Sequence, residues 1–122
     1  RFFCETALSA YPNRDLLIAE NGMALRRRRD NQHSHRRDRL TRSEFLAMHV
    51  AEVRAMLEAG WPLLGYLHWS LLDNYEWHHG FWPRFGLIEI DRDNNLKRIP
   101  RKSSEFYAKI CKEGKINKQI LS

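Results

Sequence analysis

Two short apolar runs, LLIAE at 16–20 and LLGYLHW at 63–69, constrain this chain more than anything else in it. Neither alternates apolar with polar residues, which is the pattern of a strand buried on both faces, as in parallel sheets. The first ends at Glu20 and the pair Asn21-Gly22, a strand stop; the second ends at Trp69 and a loop dense in aromatic and charged residues. Between the runs, Thr41-Arg42-Ser43-Glu44 has the form of a capping box. Leu46, Val50, Val53 and Leu57, with Met56 beside them, give the helix it opens one apolar stripe, and Gly60 followed by Pro62 closes it. Strand, helix, strand in this order predicts a parallel pair joined by a right-handed crossover, hence an α/β fold.

The flanks extend the pattern. Residues 2–10 read as the end of an amphipathic helix stopped by Tyr11-Pro12-Asn13. Residues 85–99 predict a hairpin, FGLIEID and LKRIP around a turn at Arg92-Asp93-Asn94-Asn95. Ser103 or Ser104 is expected to cap a last helix that Gly114 ends, leaving 115–122 as a frayed tail. A parallel sheet of only two strands has two open edges and cannot bury its helices. The 122 residues are therefore expected to be part of one larger domain.

The net charge of +6 sits in one place. Residues 26–42 hold eight Arg and two Asp, and the remainder of the chain is neutral. This is one basic loop, expected to be exposed over 26–41, and not a basic face interleaved with base-stacking aromatics, so no nucleic-acid partner is expected. An acidic partner for that loop is the alternative. Cys4 and Cys111 lack any disulfide or ligand spacing and fit a reducing compartment, which makes a cytoplasmic location the expectation. No apolar run reaches the length that spans a bilayer, so no membrane association is expected. The six His include no HExxH or comparable pattern, so neither a metal nor a cofactor is expected.

Four Trp, four Tyr and six Phe are ample for a core, but they bunch between Trp61 and Phe85, which points to a site. Within that stretch GYLHWSLLDNYEWHHGFWPRFGL (65–87), taken with LLIAENG (16–22), resembles family 1 glycoside hydrolases, the β-glucosidase and β-galactosidase group. More than a dozen positions of the longer motif agree in order. The resemblance implies a (β/α)8 TIM barrel, of which this chain is the last two βα units plus a small hairpin, the C-terminal part of the barrel domain. Barrel enzymes build their sites at the C-terminal ends of strands, because strands fix positions while loops vary. Glu20, Trp69, Glu76 and Trp77 would then face one mouth.

The resemblance also implies roles. Glu20 becomes the nucleophile of a retaining β-glycosidase, one of two carboxyl groups about 5 Å apart. Glu76 would accept from the 4- and 6-hydroxyls of a glucoside or galactoside, and Trp77 would donate its indole N–H to the 3-hydroxyl. Trp69 would lie under the apolar face of the sugar ring, with Phe85 closing the wall near its 6-position. A carboxylate at 76 would repel a 6-phosphate, which disfavours phosphorylated substrates. Where the family pattern has Thr, this chain has Ala19, so a hydroxyl beneath the nucleophile is missing.

The family's acid/base residue lies in an Asn-Glu-Pro motif on the fourth strand, and that tripeptide does not occur in this chain. Glu44, Glu52 and Glu58 are expected on the outer helix, facing away from the mouth. The expectation is a parent enzyme that hydrolyses terminal β-D-glucosides or β-D-galactosides with retention, with the N-terminal part of its barrel as the necessary partner. These 122 residues alone are expected to be inactive. A catalytically inactive carbohydrate-binding fragment is the alternative.

Overall fold

The computed structural model describes residues 1–27, 33–34 and 37–114. Helix α1 (Phe2–Ala10) stops at Tyr11, whose N–H bonds back to the Ala7 carbonyl. Strand β1 (Leu16–Asn21) follows, then the short strands β2 (Leu25–Arg27) and β3 (His33–Ser34), and helix α2 (Arg42–Glu58). Strand β4 (Leu63–His68) leads into a 3-10 turn at Trp77–His79, strand β5 (Pro83–Arg84), the hairpin β6 (Ile88–Asp91) and β7 (Lys97–Pro100), and helix α3 (Lys102–Glu113).

β1 and β4 pair in parallel across α2, as the two apolar runs require. α2 begins with the expected capping box: the Thr41 side chain accepts from the Glu44 N–H, and Glu44 reaches back to the Thr41 N–H at 2.7 Å. It ends before Gly60, whose φ of 79° belongs to the left-handed region that glycine tolerates. Leu46 and Ala47 of α2, Leu87, and Phe106 and Ile110 of α3 form the buried cluster, with Val50, Tyr66 and Tyr107 packed on its edge.

Several expectations need correction. The strands are not buried on both faces: Leu17 is 52%, Leu64 70% and Leu67 53% exposed. The sheet they form has only two strands among the described residues, too few to bury its side chains on both faces. Leu57 is half exposed and lies off the stripe, whose buried members are Leu46, Ala47, Val53 and Met56. The last helix starts at Lys102 with Arg101 as its N-cap, so neither serine caps it. Ser103 is buried within the first turn, and the Ser104 hydroxyl donates back to the Arg101 carbonyl at 2.8 Å. The hairpin turn runs one residue further than expected, with both Asn95 and Leu96 at positive φ.

The Arg-rich stretch is not all loop. Its first residues belong to β2, which pairs antiparallel with β3 on one side and with β5 on the other. Arg37, Asp38 and Arg39 are exposed. The rest of the expected loop, and the tail at 115–122, lie outside the described residues. Among the described residues no helix is long and apolar enough to cross a membrane.

Candidate active site

The two strands that carry the sequence motifs are clamped at their C-terminal ends. The Trp69 N–H donates to the Asn21 carbonyl at 3.0 Å, and the Tyr66 hydroxyl donates to the Asn21 side-chain oxygen at 2.8 Å. Gly22 passes so close to the Trp69 carbonyl that a Cβ there would overlap it. Ile18 pairs with Tyr66 and Asn21 with His68, so β1 uses one residue more than β4 over this span. Tyr66 and His68 share a face, and the extra residue keeps Ile18 and Asn21 on it.

Beyond β4 the chain turns through the cis Trp69–Ser70 peptide into the loop that carries Glu76. The Trp69 indole N–H donates to Glu76 Oε1 at 3.2 Å, and the Asn74 amide donates to the same oxygen at 2.6 Å. Asn74 is held in turn by the Ser70 hydroxyl at 3.2 Å. The Glu76 N–H reaches the Gly80 carbonyl at 2.8 Å, closing a tight turn around the 3-10 segment. A carboxylate held through one oxygen by two donors is suited to accept from hydroxyls.

Below this loop lies an ionic network that the motifs did not announce. Asp73, its side chain fully buried, takes two bonds from Arg101, at 2.8 and 3.2 Å, and stands 3.5 Å from Arg84. The N–H groups of Gly86 and Ile90 complete its shell. Burial alone would raise its pKa, but the hydrogen bonds and charge of Arg101, with the Gly86 N–H and Arg84, hold the carboxyl below its ordinary value. Arg42, the last arginine of the basic run, is also buried and donates to the carbonyls of Met23 and Arg84. Burial, then the neighbouring Arg101 charge, lower its pKa to about 10. The network ties α2, β5, the hairpin and α3 to the root of the Glu76 loop. Its only sequence signal was the Asp within SLLDN standing a fixed distance before Arg-Phe-Gly.

His68, on the buried side of β4, has neither ring nitrogen hydrogen-bonded. Burial and then the Arg42 charge push its pKa down to about 4, against weaker upward pulls from the backbone of Phe85 and Asn21. The Tyr107 ring lies 6.1 Å from the imidazole. His68 is thus a neutral packing residue and not a proton carrier at neutral pH.

The predicted residues are brought together unevenly. Trp69, 36% exposed, and Glu76 touch. Phe85 is half-buried, and its carbonyl accepts from the Ser70 N–H at 3.4 Å. Trp77 is 83% exposed, a ring standing in solvent. Glu20 is exposed and borders a cavity of about 730 Å³ between α1, β1 and α2. None of Trp69, Glu76, Trp77 or Phe85 lines that cavity, so it does not join all five. Glu52, expected to face away, borders the same cavity as Glu20. Among the described residues no three His, Cys, Asp or Glu are grouped as a metal site.

Comparison with known proteins accounts for the pattern. The family model described as "Glycosyl hydrolase family 1" matches residues 2–116. Beta-glucosidase 30 of Arabidopsis thaliana is 36% identical over 118 residues, which is 89% of this chain and 20% of that protein. A chloroplastic galactolipid galactosyltransferase of the same plant is 38% identical over 78 residues, 64% of this chain and 12% of that protein. A family 1 β-glucosidase structure from Thermotoga maritima superimposes with a TM-score of 0.78 at 30% identity, covering 95% of this chain and 26% of that one. The chain therefore spans between about an eighth and a quarter of the proteins it matches. Relatives from Oryza sativa and Zea mays are, like the galactosyltransferase, named as chloroplastic, which overturns the expectation of a cytoplasmic location drawn from two unpaired cysteines. The α/β architecture is that of part of a family 1 β-glucosidase, a family of (β/α)8 barrels. By family match, sequence and architecture together, this chain belongs to glycosyl hydrolase family 1.

Proposed function

We propose that the protein carrying this segment hydrolyses terminal non-reducing β-D-glucosides or β-D-galactosides with retention, and that residues 1–122 form the last two βα units of its barrel with a small hairpin. The observation that carries this reading is the bond from the Trp69 indole to Glu76, in a loop rooted beside the strand end that bears Glu20. It leaves a fixed carboxylate beside an exposed indole, a combination suited to a polyhydroxylated ring. Glu20 attacks the anomeric carbon to form a glycosyl ester. A carboxylic acid from the N-terminal part of the barrel protonates the leaving oxygen and then activates water. Glu76 accepts from the 4- and 6-hydroxyls, Trp77 donates to the 3-hydroxyl, Trp69 supports the ring and Phe85 bounds its 6-position.

The N-terminal part of the barrel is the partner this reading requires, both for the acid and for the walls that two strands do not provide. The 122 residues alone do not turn over substrate. The names of several relatives support a plastid location. A second reading is favoured by the galactosyltransferase relative: the same glycosyl ester discharged onto a sugar hydroxyl instead of water.

Proton NMR of the reaction of the barrel-complete protein with an aryl β-glucoside tests this directly. The β-anomer of free glucose as the first product supports hydrolysis with retention. A disaccharide or longer product formed in its place supports transfer. The α-anomer as first product, or turnover by residues 1–122 alone, contradicts the proposal.

A further inference from the structure

The turn that carries Glu76 and Trp77 is propped from outside by a residue of the hairpin. The guanidinium of Arg92 lies over the Phe81 ring, 3.7 Å from its centroid, and its Nη2 reaches the Asp73 carbonyl at 3.5 Å. Phe81 meets the Tyr75 ring edge to face, with centroids 5.1 Å apart. Tyr75 immediately precedes Glu76, and Phe81 immediately follows Gly80, whose carbonyl closes the turn through the Glu76 N–H at 2.8 Å. Arg92, Phe81 and Tyr75 thus form one stack across the base of the turn, and Arg92 is the member that comes from a different element. A guanidinium is planar and always charged, so it stacks on an aromatic face with a geometry that a flexible ammonium does not reproduce.

We infer that Arg92 is a positioning residue: acting through Phe81 and Tyr75, it sets the orientation of the Glu76–Gly80 turn and so of the carboxylate and indole offered to the sugar. The sugar-binding consequence rests on the roles proposed above for Glu76 and Trp77, whereas the positioning does not. Arg92 touches no reacting atom. Two other charged groups lie near its path: Asp73, whose carbonyl it contacts, and Arg101, which pairs with the Asp73 carboxylate on the other side.

The indole N–H resonances of the full-length protein, labelled with nitrogen-15 at tryptophan, test the inference. Trp69 reports on Glu76 because its indole donates to that carboxylate, and Glu76→Gln identifies its peak. In Arg92→Met the Trp69 and Trp77 indole peaks should shift or broaden while thermal melting stays within a few degrees of the wild type. Arg92→Lys should restore them only in part. Phe81→Leu, which leaves the Arg92 link to Asp73 in place, should move the same two peaks. Unmoved indole peaks in a folded Arg92→Met or Phe81→Leu variant overturn the inference. So does loss of folding in both, which would make the stack a general stabiliser and not a positioning device. Because no turnover is read, absence of glycosidase activity in the wild type would count against the proposed function and leave this result standing.

Discussion

The carboxylate of Asp73 and the guanidinium of Arg101 face each other through two bonds, 2.8 and 3.2 Å long, across 28 positions of sequence. The pair fastens the start of the last helix to the loop that carries Glu76. Removing one partner of a buried pair leaves the other charge uncompensated, at a cost of about 3–5 kcal/mol. Asp73→Asn should therefore destabilise the protein by about 3 kcal/mol or more in chemical denaturation. The folded pKa of Asp73 lies below its ordinary value of 3.8. Its contribution is thus present above that value and lost as the pH falls through the lower folded pKa.

His68 governs a different pH window. Its folded pKa of about 4 lies below the ordinary 6.5, so the unfolded chain takes up the proton first on acidification. Stability should be full above pH 6.5 and fall steadily from there to about pH 4. Replacing the ring with one that cannot titrate, His68→Phe, should flatten that part of the stability–pH curve while leaving the steeper loss below it. Equal slopes in wild type and variant would contradict the assignment.

Gly22→Ala probes the clamp between the strands. The added methyl would overlap the Trp69 carbonyl, a backbone atom that cannot swing aside, so the two strand ends must part. Overpacking of this kind costs about 1–3 kcal/mol. The Trp69 indole resonance should move with it, since that residue follows the displaced strand. A stable variant with an unchanged indole peak would show that the close approach is not needed.

Thr41→Ala removes the hydroxyl that accepts from the Glu44 N–H at 3.2 Å. Loss of a side-chain N-cap costs about 1 kcal/mol. Thermal denaturation should show that modest drop, and Thr41→Ser should recover most of it.

What could be read in the sequence was what is local. The capping box at Thr41 and the glycine stops at 60 and 114 each follow from residues close together in the chain, and the two strands of the parallel pair were each read from their own apolar runs, LLIAE and LLGYLHW. The Glu20 strand end and the Trp69-to-Glu76 loop were legible for the same reason. The Asp73 network was not, because its partners lie up to 28 residues away and an arginine in a sequence gives no sign of being buried. Arg42 illustrates this: it looked like one more charge of the basic run and is sealed against Met23 and Arg84. Pairing of β2 with β5 spans more than fifty residues and two strands too short to show periodicity.

Covalent trapping of the nucleophile tests the central claim most directly. The barrel-complete protein is incubated with an activated 2-deoxy-2-fluoro-β-glucoside, which slows breakdown of a glycosyl ester, and the modified peptide is then located by mass spectrometry. One fluoroglucosyl group on the peptide bearing Glu20, absent from Glu20→Gln, is the predicted result. Label on another carboxylate, or full hydrolytic activity in Glu20→Gln, would contradict it.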